Sequence, residues 1–444
     1  DEWTARLPVA LAGLLAVVAV GFTGARLAGA DAGAFAALVL AGSVWHSGLA
    51  HLLTLDSVLS FLLTLALCAF LLAQRPALSP SAQRNWMLVA YAAAAGATLT
   101  KGLVALVIPG AALVLYSAVT RDTGPWRRLH ALPGVPLYLA LTAPWFFAVE
   151  RANPGFARFF FVREHFERFL TESHNRGGEW WYFVPWFVLG ITPWLLVWAW
   201  TLPRSWRAAP VAANGFSWER FCVVWAAFVF AFFSASGSKL PSYILPMFPA
   251  LALVLGFELT RLPARTLAWI ALPLAVGATA FLALYPFAYA SLAAALASED
   301  TPVAIYAAFG PWFATALAAW GAGGIAAVAL FRRDTPPGKA WGIAALSLSM
   351  LIGLQVALVG HDAWARVRSA QPILADAERA NGQRLDPSFP VYQVAAYDQT
   401  LPFYLGRPTP LVEYRDEMGP GLDLEPHKGY HEAAWIEAWN AAPQ

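Results

Sequence analysis

The sequence has few charged residues for a chain of 444. Lys and Arg together number 29 and Asp and Glu number 27, so charged residues make up 13% of the chain. A typical soluble domain carries roughly a quarter, and this chain cannot build the charged surface that such a domain needs. The formal net charge of +2 also offers no basic face of the kind that binds nucleic acid. The composition argues against a soluble domain and against a nucleic-acid partner.

Cysteine is nearly absent, and several familiar nucleotide and hydrolase motifs are missing. Cys68 and Cys222 each lie alone in an apolar run, so the sequence predicts neither a disulfide framework nor a cysteine pair that binds zinc. It contains no Gly-rich phosphate loop, dinucleotide fingerprint or Gly-x-Ser-x-Gly turn. Transport driven by nucleotide hydrolysis therefore has no support in the sequence.

What the sequence has in abundance is long apolar segments. Apolar residues make up 59% of the chain, and a window of about 20 residues, the length that crosses a bilayer as a helix, selects twelve spans. Because the segments are continuously apolar rather than alternating, they predict helices and not a barrel. We predict an α-helical polytopic membrane protein with about twelve spans, near residues 6–24, 32–46, 55–74, 85–100, 102–119, 133–150, 181–201, 218–236, 240–258, 265–285, 308–331 and 340–359.

The composition changes after Gly360, where Asp, Glu, Arg, Pro and Asn return and no further span follows. We predict a transmembrane domain over residues 1–360 and a small soluble α/β domain over residues 361–444. Lys and Arg are more numerous on one set of connecting loops, which predicts that this side is cytoplasmic. Both chain ends and the soluble domain would then lie on the outer side. A chain that starts outside at Asp1 rather than at Met suggests that an earlier segment precedes it.

Ionisable residues at the predicted outer ends of the spans are candidates for function, because a charge at the membrane boundary needs a partner or a task. Two roles are equally compatible with Asp56. It is either the N-cap of a helix or a functional acid that binds a cation, positions an amine or acts as a base. Lys101 lies between two apolar runs, and Lys239 is followed within a turn by Tyr243. These cations and the phenol suit a phosphate ligand, whereas the alternative for each lysine is contact with lipid headgroups.

The segment near residues 150–180 is the densest polar stretch before the terminal domain. Its phenylalanines interleave with basic residues that include Arg168, a pattern typical of an amphipathic helix lying in the membrane interface. Such a helix would bind a lipid with a phosphate head or would only cap the helical bundle. His165 and His174 are candidate ligands for a divalent metal ion. The chemistry inferred below requires no cofactor.

These motifs resemble the GT-C glycosyltransferases, which are polytopic enzymes that use polyprenyl-phosphate sugars, and within them the lipid A aminoarabinose transferases. Family members have thirteen spans and a C-terminal periplasmic domain. The resemblance therefore implies that a first span and a large loop with an acidic catalytic motif lie outside this sequence. The matching stretches run from about residue 46 to residue 410 and are HLLTLDSVLSFLL, TLTKGLVALVIPG, APWFFAVERANPGFARFFFVREHFERFL, SGSKLPSYILPMFPA and YDQTLPFYLGR.

The resemblance implies an activity at the periplasmic face of the bacterial inner membrane. A monomeric enzyme would move 4-amino-4-deoxy-L-arabinose from undecaprenyl phosphate to a lipid A phosphate, with inversion at the anomeric carbon. The product would lower the negative charge of the outer membrane and give resistance to polymyxin and other cationic peptides. Two alternatives remain open, namely a protein glycosyltransferase with a polyprenyl-phosphate-mannose type of donor and a flippase for lipid-linked sugars.

The resemblance also implies roles for individual residues. Asp56 matches a conserved acid, and we take it as the catalytic candidate. Lys239 and His165 belong to matching motifs and are possible contacts of the substrate. The positions that match the surroundings of the polyprenyl phosphate in the family are Lys101, Arg168 and Tyr243, with His165 and His174 matching histidines of the loop near them.

Overall fold

The computed structural model describes residues 1–161, 178–207, 209, 211–383, 391–412, 414, 418 and 419. A helix or a pair of helices lies at each of the twelve predicted spans. The helices are α1 Glu2–Ala28, α2 Ala30–Ala41, α3 Val44–Leu49, α4 Leu55–Ala73, α5 Pro80–Lys101, α6 Val104–Thr120, α7 Gly124–Arg127, α8 Ala131–Ala152, α9 Phe156–Arg158, α10 Phe183–Ile191, α11 Leu195–Arg207, α12 Trp218–Ala235, a 3-10 helix at Pro241–Met247, α13 Phe248–Arg261, α14 Ala264–Leu296, α15 Val303–Arg332 and α16 Pro336–Gly360.

The predicted class, a polytopic helical membrane protein, is confirmed. Within the described part of the chain, eight helical segments are long and apolar enough to cross a membrane. The pair of α10 and α11, bent by 99° at the break between them, brings the number to nine if the two helices count as one span. The other three predicted spans are also helices, but they are shorter or more polar than a typical membrane-spanning helix. α2 and α6 have only 12 and 17 residues, whereas α5 has 22 residues but a more polar sequence than these eight.

Burial separates the central helices from the peripheral ones. In α4, 72% of the most apolar stretch is buried inside the protein, and the segment Pro241–Arg261 reaches 83%. The corresponding share for α8 is 11%, so most of its apolar side chains face outward, where a membrane would cover them. α4 and the segment that ends in α13 therefore form the centre of the bundle, and both carry candidate residues at one end.

Small residues allow α1, α2 and α13 to pack closely. A Cβ added at Gly33 of α2 would lie 2.4 Å from the carbonyl oxygen of Gly21 in α1. A Cβ added at Gly256 of α13 would lie 2.5 Å from the backbone nitrogen of Ala36 in α2. Close backbone approach of this kind is a common way for membrane helices to associate, because van der Waals packing is a main attraction between them in lipid.

We expect Gly256→Ala to destabilise the bundle by about 1–3 kcal/mol, the usual cost of overpacking a tight contact. The matched control is Gly277→Ala in α14, where the added methyl group meets no atom within 4 Å and Ala favours the helix. Thermal unfolding of both variants in the same detergent measures the effect. Equal melting temperatures for Gly256→Ala and the wild type would contradict this packing.

Contacts divide the chain into two units, one of residues 1–283 and 314–356 and the other of residues 284–313 and 357–444. The described part of the second unit contains helices Ala365–Arg368 (α17), Ala370–Asn381 (α18) and Thr400–Leu405 (α19). Strands β1 Gln393–Val394 and β2 Leu411–Val412 flank α19 and pair in parallel. These elements agree with the predicted small α/β domain, while its boundary at residue 360 stays a prediction.

Candidate functional site

Three segments that are far apart in sequence meet at one end of the helical bundle. Asp56 lies in the first turn of α4, and Lys101 is the last residue of α5. Because α4 and α5 are consecutive antiparallel helices, the start of one lies beside the end of the other. The 3-10 helix Pro241–Met247, which precedes α13, packs against α4 and adds Ser242 and Tyr243 to the same place.

The carboxylate of Asp56 bonds to two side chains from different segments. Lys101 Nζ donates to Asp56 Oδ1 and forms an ion pair with it. Ser242 Oγ donates to Asp56 Oδ2 over 2.7 Å. The Asp56 side chain is 10% exposed and the Lys101 side chain 31%, so the carboxylate lies behind the ammonium group. A ligand that arrives from outside would meet Lys101 first.

The N-cap alternative for Asp56 does not describe this structure. The N-cap position of α4 belongs to Thr54, and Asp56 lies two residues further into the helix. Its carboxylate is turned toward Lys101 and Ser242. The charge still favours the positive end of the helix dipole, but its hydrogen bonds tie α4 to other segments.

Tyr243 contacts the lysine through its ring. Lys101 Nζ lies 4.7 Å from the centroid of the Tyr243 ring, within the range of a cation–π contact. The Phe233 ring packs against Tyr243 with a centroid distance of 5.1 Å. The sequence indicated the phenol hydroxyl as a phosphate donor, and the structure adds a contact between the Tyr243 ring and the Lys101 ammonium group.

Lys239 lies near this group and has a different partner. Its side chain is buried, at 7% exposure for the residue, and Nζ donates to the carbonyl oxygen of Ser236 over 2.7 Å. Gly178 approaches the lysine stem so closely that an added Cβ would lie 3.3 Å from Lys239 Cδ. Such burial does not fit the alternative in which Lys239 meets lipid headgroups. In this arrangement Lys239 ties together the turn that leads into the 3-10 helix.

Three of the predicted site residues, Arg168, His165 and His174, lie outside the described residues. Their contacts with a polyprenyl phosphate, and the histidines' part in a metal site, stay predictions. In the part of the chain that the structure describes, no three His, Cys, Asp or Glu side chains come together in a group that could hold a metal ion.

Sequence reasoning missed Ser242. It is a small polar residue between Pro241 and Tyr243, and nothing in its own sequence context distinguishes it from a turn residue. The sequence feature that came closest was the spacing of Lys239 and Tyr243, which indicated that the segment containing Ser242 belongs to the candidate site. Only the packing of the 3-10 helix against α4 reveals that this hydroxyl reaches the carboxylate of Asp56.

Comparison with known proteins gives this geometry a context. The model of the aminoarabinose transferase C-terminal domain matches residues 377–444. The model of dolichyl-phosphate-mannose-protein mannosyltransferases matches residues 1–147. The apo crystal structure of ArnT from Cupriavidus metallidurans superimposes with a TM-score of 0.88 at 36% sequence identity, covering 100% of this chain and 78% of that one. The chain belongs to the aminoarabinose transferase family.

Curated members of the aminoarabinose transferase family match over shorter segments. The undecaprenyl phosphate-alpha-4-amino-4-deoxy-L-arabinose arabinosyl transferase of Edwardsiella ictaluri is 28% identical over 264 residues, which is 59% of this chain and 46% of that protein. The enzyme of the same name from Erwinia tasmaniensis is 32% identical over 209 residues, or 47% and 37%. The chain thus spans less than half the length of these curated relatives.

A second crystal structure in the aminoarabinose transferase family holds a ligand. It is ArnT from Cupriavidus metallidurans bound to undecaprenyl phosphate, with a TM-score of 0.88 and 37% identity, and the match covers 99% of this chain and 77% of that one. A phosphate bound to a long apolar chain is a ligand of the chemical type that an ammonium group at the end of a membrane helix can bind.

Proposed function

We propose that this protein is a membrane glycosyltransferase that transfers 4-amino-4-deoxy-L-arabinose from undecaprenyl phosphate to a phosphate group of lipid A. The observation that carries the proposal is the group of Asp56, Lys101 and Tyr243 at one end of the bundle. It presents a partly exposed ammonium group in a chain whose relatives are named for this transfer.

The proposed reaction is an inverting substitution at the anomeric carbon of the sugar. A phosphate oxygen of lipid A attacks C1, and the bond from C1 to the donor phosphate oxygen breaks. The electron pair of that bond leaves with undecaprenyl phosphate. Because the acceptor oxygen is already ionised, the reaction needs little help from a general base. The enzyme's main tasks are to position two anions and to stabilise the charge that grows on the leaving phosphate.

The described residues divide these tasks between them. Lys101 supplies the positive charge that faces the leaving phosphate, and the Tyr243 ring holds its ammonium group from the side. Asp56 keeps Lys101 in place and is the group that would hold the amine of the sugar. Arg168, for which the family resemblance is the support, would supply a second cation for the phosphate.

The bacterial inner membrane, with the active site on the periplasmic side, is the proposed location. The support is the concentration of basic residues at the end opposite to Asp56, where the positive-inside rule predicts the cytoplasm. Arg265 and Asp334 form an ion pair of 3.0 Å there, beside Arg332 and Arg333. We further propose that the protein acts as a monomer, that it needs no cofactor, and that its product weakens the binding of polymyxin and other cationic peptides.

Transfer of a labelled sugar tests the proposal. The purified chain in lipid nanodiscs is incubated with radiolabelled undecaprenyl-phosphate aminoarabinose and lipid A. We expect the label to move to lipid A and undecaprenyl phosphate to be released in equal amount. The same assay with a lipid A that lacks phosphate groups is the control, since it offers no nucleophile.

Two other experimental results would each support a different function. Label on a protein hydroxyl from a mannosyl donor would favour a protein glycosyltransferase, the alternative that the match of residues 1–147 to mannosyltransferases keeps open. Movement of the labelled donor across a sealed vesicle membrane without transfer would identify a flippase. The grouping of the described candidate residues at one end of the bundle speaks against a path through it.

A further inference from the structure

The Asp56 carboxylate is held in one orientation by two partners on opposite sides of the site. Lys101, at the end of α5, bonds to Oδ1, and Ser242, in the 3-10 helix, bonds to Oδ2. The last torsion of an aspartate side chain is broad, so an ammonium group alone does not fix the carboxylate plane. The Ser242 hydroxyl supplies the second anchor, and hydrogen bonds to charged groups are among the strong ones in proteins.

The 3-10 helix that carries Ser242 is itself anchored near both of its ends. Trp45 Nε1 donates to the carbonyl oxygen of Pro241 over 3.1 Å, and Trp225 Nε1 donates to that of Pro246 over 3.0 Å. Ser242 is buried, with 9% exposure. Two indole groups from separate helices thus keep the serine hydroxyl at a set distance from Asp56.

This arrangement decides how many donors Lys101 can offer to a ligand. An ammonium group has three N–H donors. One goes to Asp56 Oδ1, and the Tyr243 ring packs beside the group. As long as Ser242 engages Oδ2, that oxygen does not compete for a second N–H of Lys101. The remaining donors can face the open side, where the lysine is 31% exposed.

We infer that Ser242 is a positioning residue for the proposed reaction and acts through Asp56 on Lys101. Its hydroxyl holds Asp56 Oδ2 so that the lysine remains available to the phosphate of the polyprenyl donor. Without the hydroxyl, Asp56 turns both oxygens toward Lys101 and competes with the phosphate. The inference rests on the proposed function, because it assumes that a polyprenyl phosphate is the ligand of Lys101.

Binding of undecaprenyl phosphate to the whole chain in nanodiscs tests the inference. We expect Ser242→Ala to weaken binding by about tenfold, the change that corresponds to one hydrogen bond to a charged group. Ser242→Thr keeps the hydroxyl and should restore most of the affinity. In the transfer assay, Ser242→Ala should raise KM for the donor more than it lowers kcat.

Two serines of α4 provide matched controls. Ser60 Oγ is buried and bonds to no partner in the described structure, one turn after Asp56. Ser57 Oγ donates to the carbonyl oxygen of Leu49 over 2.8 Å. Ser60→Ala should change nothing, whereas Ser57→Ala should lower the melting temperature and leave phosphate affinity unchanged. The melting temperature of Ser242→Ala is measured as well and compared with that of Ser57→Ala. Because Ser57→Ala should lose stability without losing phosphate affinity, this comparison separates a loss of affinity in Ser242→Ala from a loss of stability.

A double-mutant cycle with Asp56→Asn separates positioning through Asp56 from other effects of Ser242. In the Asp56→Asn background, Ser242→Ala should no longer weaken phosphate binding. Unchanged affinity in Ser242→Ala, no recovery in Ser242→Thr, or an equal loss in both backgrounds would each overturn the inference while the proposed function stands. Failure of the wild type to bind undecaprenyl phosphate would instead overturn the proposed function, and the inference with it.

Discussion

Lys101→Met is expected to lower the rate of sugar transfer by about a hundredfold, the usual loss when one donor to a developing anion is removed. It should also destabilise the protein by about 2 kcal/mol, because the buried Asp56 carboxylate loses its cation. This loss of stability is smaller than the loss on breaking a fully buried ion pair, because the Lys101 side chain is 31% exposed. Transfer kinetics and thermal unfolding in the same detergent measure the two effects separately.

The double variant Asp56→Asn with Lys101→Met separates folding from function. It removes both charges of the pair, so no carboxylate is left without a cation and the melting temperature should return toward that of the wild type. Transfer should stay at or below the level of Lys101→Met, since the phosphate still lacks its ammonium group and the sugar amine now lacks the Asp56 carboxylate. If the double variant regained transfer together with stability, Lys101 would have only a structural part.

Asp56→Asn is expected to change the binding of undecaprenyl phosphate and the rate of sugar transfer in opposite directions. Removing the carboxylate leaves the Lys101 charge without its counter-ion, so undecaprenyl phosphate should bind several-fold more tightly, as Coulomb attraction in a partly desolvated site requires. Transfer should nevertheless fall by about a hundredfold, a loss typical of a misplaced catalytic group. Equilibrium binding and steady-state transfer with the same nanodisc preparation provide both numbers.

Asp31→Asn is the control for this variant. Asp31 also lies in the first turn of a helix, α2, but is exposed. The control therefore tests the effect of losing a carboxylate that favours a helix dipole. It should leave binding and transfer unchanged. Wild-type turnover in Asp56→Asn would contradict the catalytic part assigned to this residue and leave it the task of holding the bundle together.

Much of the fold could be predicted because lipid imposes a simple rule on sequence. Every backbone polar group within the bilayer must be satisfied inside the chain, so a long apolar segment forms a helix. Each of the twelve predicted spans accordingly coincides with a helix or a helix pair. The same rule does not predict where an apolar segment breaks into two shorter helices. The break between α10 and α11, with its 99° bend, and the short α2 depend on neighbours that the apolar pattern does not reveal.

The candidate site could be predicted in part. Asp56, Lys101 and Tyr243 attracted notice because each is an ionisable or phenolic group at the end of an apolar run, where such a group is costly without a partner. Which partner each one takes was open, since Asp56 fitted a helix cap equally well and Lys239 looked equivalent to Lys101. The structure gives Lys101 a carboxylate and Lys239 a backbone carbonyl.

Composition and hydropathy alone are enough to establish that the protein is a helical membrane protein and to show which few polar groups lie at the ends of its helices. Scarcity of charge was sufficient for this, because each charge in an apolar chain stands out. Which of these groups meet depends on how the helices pack against one another. The pairing of Asp56 with Lys101 and Ser242 joins residues 45 and 186 positions apart. Such contacts follow from the packing of whole helices, which no local pattern of residues specifies.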